Sequence, residues 1–192
     1  MIAGSTIEII DATWEMVFTF NKLLLILLAS YMMNNFCLPL NDEYRVLFLI
    51  DLDRKEKYFI AKILVLIFVI TILTLIIFLL FIISFLILNL DFKIEVSYLK
   101  GYILIYFQML VYGLLSSNFA ILTRSTLSSI LSFIIYLIVD FFHREISILN
   151  TFFPLILYEN YEIFFGKYII NLLVISTFYF IIYTLITRGK NY

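Results

Sequence analysis

Apolar residues in this chain come in long blocks separated by short charged stretches. The clearest block, Ile63 to Leu90, contains no ionisable residue, and at about 1.5 Å per residue it exceeds the roughly 30 Å of a bilayer's hydrocarbon. Its Ile, Val and Phe content would favour a strand in water. In hydrocarbon, however, so long a run must satisfy its backbone internally, which a helix does alone. Four further blocks predict spans at 18–38, 102–122, 127–142 and 168–186; the first contains Lys22 and the fourth is short. The pattern predicts an all-α integral membrane protein, one transmembrane domain over residues 1–192 with about five transmembrane helices.

Composition sharpens this reading. Of 192 residues 64% are hydrophobic and 14% charged, with a mean hydropathy of +1.09, where a soluble domain carries about a quarter charged residues. An ordinary globular domain is excluded. Thirteen Lys and Arg against fourteen Asp and Glu give a net charge of −1, too balanced for a nucleic-acid binder. A lone cysteine, Cys37, forms no intrachain disulfide, and with the lone histidine, His143, it falls short of the three or four ligands of a zinc site. Both read as packing or interfacial residues. Glu8, Asp11 and Glu15 stand where a signal peptide would be basic, so none is expected. Ser5-Thr-Ile-Glu8 resembles a capping box, which would start the first helix near Thr6.

Five spans place the termini on opposite sides. If the Leu40–Lys62 connection, the Thr123–Thr126 turn and the C-terminal tail are cytoplasmic, that side holds Arg45, Arg54, Lys55, Lys57, Lys62, Arg124, Arg188 and Lys190. The other side holds Lys93, Lys100, Arg144 and Lys167. The positive-inside rule then favours N-out, C-in.

Lys22 and Asp140 are ionisable groups inside spans, where charge is costly. Near the outer ends of their helices, they either snorkel to the headgroups or, with Gln108 and Asn118, line a substrate path. Gly113 and Ser117, then Ser125, Ser128, Ser129 and Ser132 beyond a short turn, describe a tight helical hairpin packed through small side chains. Between the fourth and fifth spans, His143–Lys167 mixes charges with Phe152-Phe-Pro-Leu-Ile-Leu-Tyr158 and Ile163-Phe-Phe165. It is expected to lie in the outer interface or to dip into the protein as a re-entrant element, with Pro154 breaking or beginning a short helix.

Residues Pro39 to Lys62 are charged yet apolar at Val46, Leu47, Leu49 and Ile50, and predict an amphipathic helix after an Asn41 or Asp42 cap against the inner membrane face. Glu43, the turn Leu47-Phe-Leu-Ile50, Leu52, the cluster Arg54-Lys55-Lys57 and Lys62, followed by the long Ile63–Leu90 span, resemble the corresponding stretch of ABC-2 type exporter permeases. Arg45 stands where that family has a glycine and Asp53 where it has a proline, and the chain is shorter than six-span members, as though an amino-terminal interfacial helix and first span were absent. The resemblance implies that this stretch is a coupling helix contacting a separate ATPase subunit through Asp42, Glu43, Arg45, Leu49, Asp51, Asp53, Arg54 and Lys55. It further implies two ATPase copies, a second permease subunit, identical or homologous, and a site in the bacterial cytoplasmic membrane.

The chain itself has no P-loop, because its five glycines never approach the G-x-x-x-x-G-K-[ST] spacing. It is expected to be a non-catalytic subunit that binds no cofactor, ATP and Mg²⁺ belonging to the partner. Its apolar, aromatic-rich spans suit a hydrophobic or amphipathic cargo, peptide or drug-like, and peptide-toxin and bacteriocin exporters are the branch it resembles most. Two other readings stay open: a stand-alone membrane binding or immunity protein that sequesters a peptide or lipid, and the substrate-capture component of an uptake transporter.

Overall fold

The computed structural model describes Trp14, Glu15, Phe18 and residues 22–37, 55–87, 96–123, 125, 127–142 and 151–189. Its five long elements are all helices: α1 (Lys22–Cys37), α2 (Lys55–Ile87), α3 (Val96–Thr123), α4 (Ser128–Phe142) and α5 (Phe165–Gly189). Among the described residues, three stretches are long and apolar enough to cross a membrane, Ile63–Ile83 in α2, Val96–Thr123 and Phe165–Ile186. The apolar parts of α1 and α4 are shorter, at Lys22–Met32 and Ser128–Phe142. The long block extends beyond its apolar limits: α2 begins at Lys55, inside the charged connection, and runs 33 residues, roughly 50 Å. Ser5–Glu8 and Asn41–Arg54, where a capping box and most of the amphipathic helix are expected, lie outside the described residues.

α3 is the hub, packing against each of the other four helices. Its sequence explains why. Gln108, Tyr112 and Ser116, four residues apart, line one face of the helix with Asn118 to the side of it, and in an apolar surround each is placed best against protein. α2, apolar on all faces, lies at the periphery, with Leu64, Phe68, Leu75 and Leu79 more than half exposed. It is joined to α3 by Ile70 and Phe81 in the common core and by the Thr71 hydroxyl, 3.3 Å from that of Tyr106. Such an apolar outer surface matches a helix whose solvent is lipid.

The serines cross-link three helices. Ser116 Oγ donates to the Ser30 carbonyl at 2.8 Å, Ser30 and Ser132 hydroxyls meet at 3.3 Å, and Ser132 Oγ donates to the Tyr112 carbonyl at 2.9 Å. α3 and α4 thus form a close hairpin, with α1 tied to both through side chains small enough to allow near approach of the backbones.

Two clusters define the ends of the bundle. At one, Phe81, Tyr98, Tyr102 and Tyr161 surround Trp14 with ring centroids 5.1–6.3 Å away. At the other, Ile63, Ile121 and Tyr183 pack together. Successive helices therefore run in alternate directions, so the start of α2, the α3–α4 turn and the end of α5 share the second end. At the first, Trp14 lies so close to α3 that a β-carbon on Gly101 would collide with its indole ring. Gly101→Val is expected to destabilise the protein by about 2 kcal/mol through overpacking. Thermal unfolding in detergent, with the emission of the sole tryptophan as a second readout, checks this; an unchanged melting temperature and spectrum would exclude the contact.

Candidate functional site

Between α4 and α5 the chain enters the tryptophan end of the bundle. Pro154 to Leu157 is neither helical nor turned, and Leu157 has extended torsion angles, φ −91° and ψ 136°. A short 3₁₀ turn, Tyr158–Asn160, then leads through Tyr161–Phe164 into α5. The position of proline accounts for the break, since it lacks an N–H and disfavours helix in the residue before it. Leu155 and Ile156 are 1% and 0% exposed, so the segment runs through protein rather than over it. Pro154, Leu155 and Ile156 of the aromatic-rich stretch thus lie inside the protein.

Buried backbone that is neither helix nor turn cannot bond to itself, and unpaired carbonyls away from water are costly. Side chains from three helices supply the donors. Tyr179 of α5 donates its hydroxyl to the Phe152 carbonyl at 3.1 Å, Gln108 of α3 donates Nε2 to the Pro154 carbonyl at 3.1 Å, and Lys22 of α1 donates Nζ to the Ile156 carbonyl at 2.6 Å. Every second carbonyl from 152 to 156 is thus held by a different helix. Leu157 is capped locally by the Asn160 amide at 3.3 Å.

Around this row of anchors the walls are aromatic. The Lys22 ammonium also lies over the Phe18 ring, 5.2 Å from its centroid, and Phe18 stacks on Tyr161 at 4.7 Å. Tyr161 in turn accepts a 2.9 Å hydrogen bond from Trp14 Nε1. Lys22, only 5% exposed, points into the protein and not to a headgroup. Asp140 is exposed near the end of α4, within electrostatic range of Lys22, Tyr112 and Tyr136.

Of the four polar residues singled out in the spans, the structure brings Lys22 and Gln108 together on the Pro154–Ile156 backbone, with Asp140 at the margin. Asn118 lies ten residues beyond Gln108 on α3, and its Nδ2 donates to the Tyr179 carbonyl at 3.1 Å. It bears on the site by fixing the helix that carries Tyr179. Tyr179 and the Trp14–Tyr161 pair are site residues that sequence reasoning misses; in a chain with 14 tyrosines, nothing in spacing separates Tyr179 from the rest. Of the residues expected to contact an ATPase, Asp42, Glu43, Arg45, Leu49, Asp51, Asp53 and Arg54 lie outside the described residues, and Lys55 opens α2.

Several buried polar atoms at the core of the bundle find no partner among the described residues: Gln108 Oε1, Tyr112 OH, Tyr102 OH and Asn118 Oδ1. All four belong to α3. The Gln108 carboxamide orientation is not arbitrary, because the Pro154 carbonyl accepts only, so nitrogen must face it and oxygen must turn away. Comparison of the chain with family models, with curated proteins and with solved structures gives no match.

Lys22→Met keeps the apolar stem and removes the ammonium, leaving the buried Ile156 carbonyl unpaired at a cost of about 1–3 kcal/mol. Hydrogen–deuterium exchange of purified protein is expected to accelerate at the Leu155 to Leu157 amides, with α2 exchanging as in the wild type. Equal exchange in both proteins would mean that Lys22 does not hold the segment.

Proposed function

We propose that the chain is the membrane-spanning permease subunit of an ABC exporter of the ABC-2 type, moving a hydrophobic or amphipathic cargo by alternating access. The observation that carries this reading is the buried non-helical segment ahead of the last long helix. It lies at the end of the bundle opposite to the start of α2, the helix that the charged connection enters. This element order parallels the family resemblance of the Glu43–Lys62 stretch, with an energy-input side and a cargo-release side at opposite ends. The reading takes five spans, N-out and C-in, in the bacterial cytoplasmic membrane.

ATP and Mg²⁺ are bound by two separate ATPase subunits, and a second permease subunit, identical or homologous, completes the pathway. Closure of the ATPase dimer pushes on the Asn41–Lys57 stretch as a lever. Because α3 packs against every other helix, a tilt imposed through α2 is passed to the bundle as a rigid-body motion, the kind of change alternating access uses.

Two experiments bear on this reading. An ATPase subunit encoded alongside, co-expressed with the chain, is expected to co-purify in mild detergent, and Glu43→Ala or Arg54→Ala is expected to weaken that association and transport at least tenfold. A chain that never co-purifies, and that confers its phenotype when expressed alone, would instead be a stand-alone binding or immunity protein. For sidedness, in a Cys37→Ser background, a cysteine at Lys190 is expected to be shielded from an impermeant thiol reagent in intact cells and one at Lys93 to react; the reverse pattern would invert the topology.

A further inference from the structure

We infer that the slot holding Pro154–Leu157 is a binding site for an extended apolar peptide, occupied here by the chain's own segment. The inference deepens the export reading by naming its cargo class, and only its transport consequence rests on that reading.

The seated segment has the chemistry of such a peptide. It is neither helical nor turned and is extended at Leu157, its side chains Leu155 and Ile156 are fully buried, and its backbone is gripped through alternate carbonyls by Gln108 and Lys22. Side-chain capture of main-chain carbonyls reads no sequence, while the aromatic walls around it select for apolar residues. The same donors serve any extended strand in that register.

The decisive detail is the half-used carboxamide of Gln108. A primary amide presents a donor and an acceptor side by side. A strand residue likewise presents its own N–H and C=O along one edge, and in a hydrogen-bonded strand pair both are exchanged with a single partner. Gln108 Nε2 takes the carbonyl of residue 154, so Oε1 is positioned for the N–H of that same residue. Residue 154 is proline and has no N–H. Gln108, 0% exposed, is therefore left with an unpartnered acceptor at the centre of the bundle. A peptide with any other residue at this register fills both halves of the amide. The chain's own segment is the weaker occupant, one hydrogen bond short of its competitor, as suits a plug that cargo displaces.

Three fluorescein-labelled, end-blocked hexapeptides copying residues 152–157 test this against the full-length protein in lipid nanodiscs, without any ATPase. One keeps proline at the third position, one has alanine and one has N-methylalanine. The last two differ by a single N–H and partition into lipid to a similar extent. The alanine peptide is expected to bind on the order of tenfold more tightly than either of the others, the scale of one buried hydrogen bond. Gln108→Leu is expected to erase that preference. Pro154→Ala in the protein, which leaves Gln108 intact and gives the plug its missing N–H, is expected to weaken binding of all three peptides about tenfold. Equal affinities for the alanine and N-methylalanine peptides would overturn the inference, as would unchanged affinities in Pro154→Ala. Peptide binding by a chain that never co-purifies with an ATPase would leave this site standing while the export reading falls, and co-purification without the alanine preference would do the reverse.

Discussion

A non-helical piece of backbone lies inside a helical bundle, and its carbonyls must be bonded without water. That requirement organises the tryptophan end of this protein. A helix satisfies its own main chain; Pro154–Leu157 and the helix end at Phe152 that leads into it cannot, so Tyr179, Gln108 and Lys22 are turned inward to do it. Burying a lysine ammonium is expensive, and here a 2.6 Å bond to a carbonyl, the face of Phe18 and the field of Asp140 recover part of that cost. The buried charge and the non-helical segment are each explained by the other.

The remaining architecture keeps those three anchors in register. α1, α3 and α5 each contribute one, so their relative positions must be held closely. Serine bonds fix α1 and α4 on α3, and Asn118 fixes α5 on α3 through the Tyr179 carbonyl. At the mouth, Trp14 fills the space between α2, α3 and the segment, and the absence of a side chain at Gly101 lets it do so. Small residues let the helices approach, and aromatics fill what a non-helical segment leaves open.

Much of this was legible in the sequence and some was not, for physical reasons. The three long apolar helices follow from unbroken hydropathy, because length alone decides whether a helix can cross. Aromatics and Pro154 in a stretch too apolar for a free loop left open whether it lies in the interface or dips into the protein, and burial of only Pro154–Ile156 and Tyr161 within it is decided by packing, which spacing does not show. Lys22 and Gln108 stand out because polar groups in hydrocarbon need partners, but the partners are main-chain carbonyls, which carry no sequence signal. For the same reason Tyr179 could not be found, its role resting on where its ring ends and not on its neighbours in the chain. Helices as uniformly apolar as α2 have no preferred face, so their placement around α3 is fixed by packing.

The Lys22 bond spans 134 residues of sequence. At a synthesis rate of roughly 5–20 residues per second, the acceptor emerges on the order of ten seconds after its donor. Throughout that interval Lys22 has no Ile156 carbonyl to bond, and water or another polar group must serve. Assembly of this end of the protein therefore has a built-in order: the anchor on α1 is made long before the segment that it holds, and the contact closes only once Ile156 has been made.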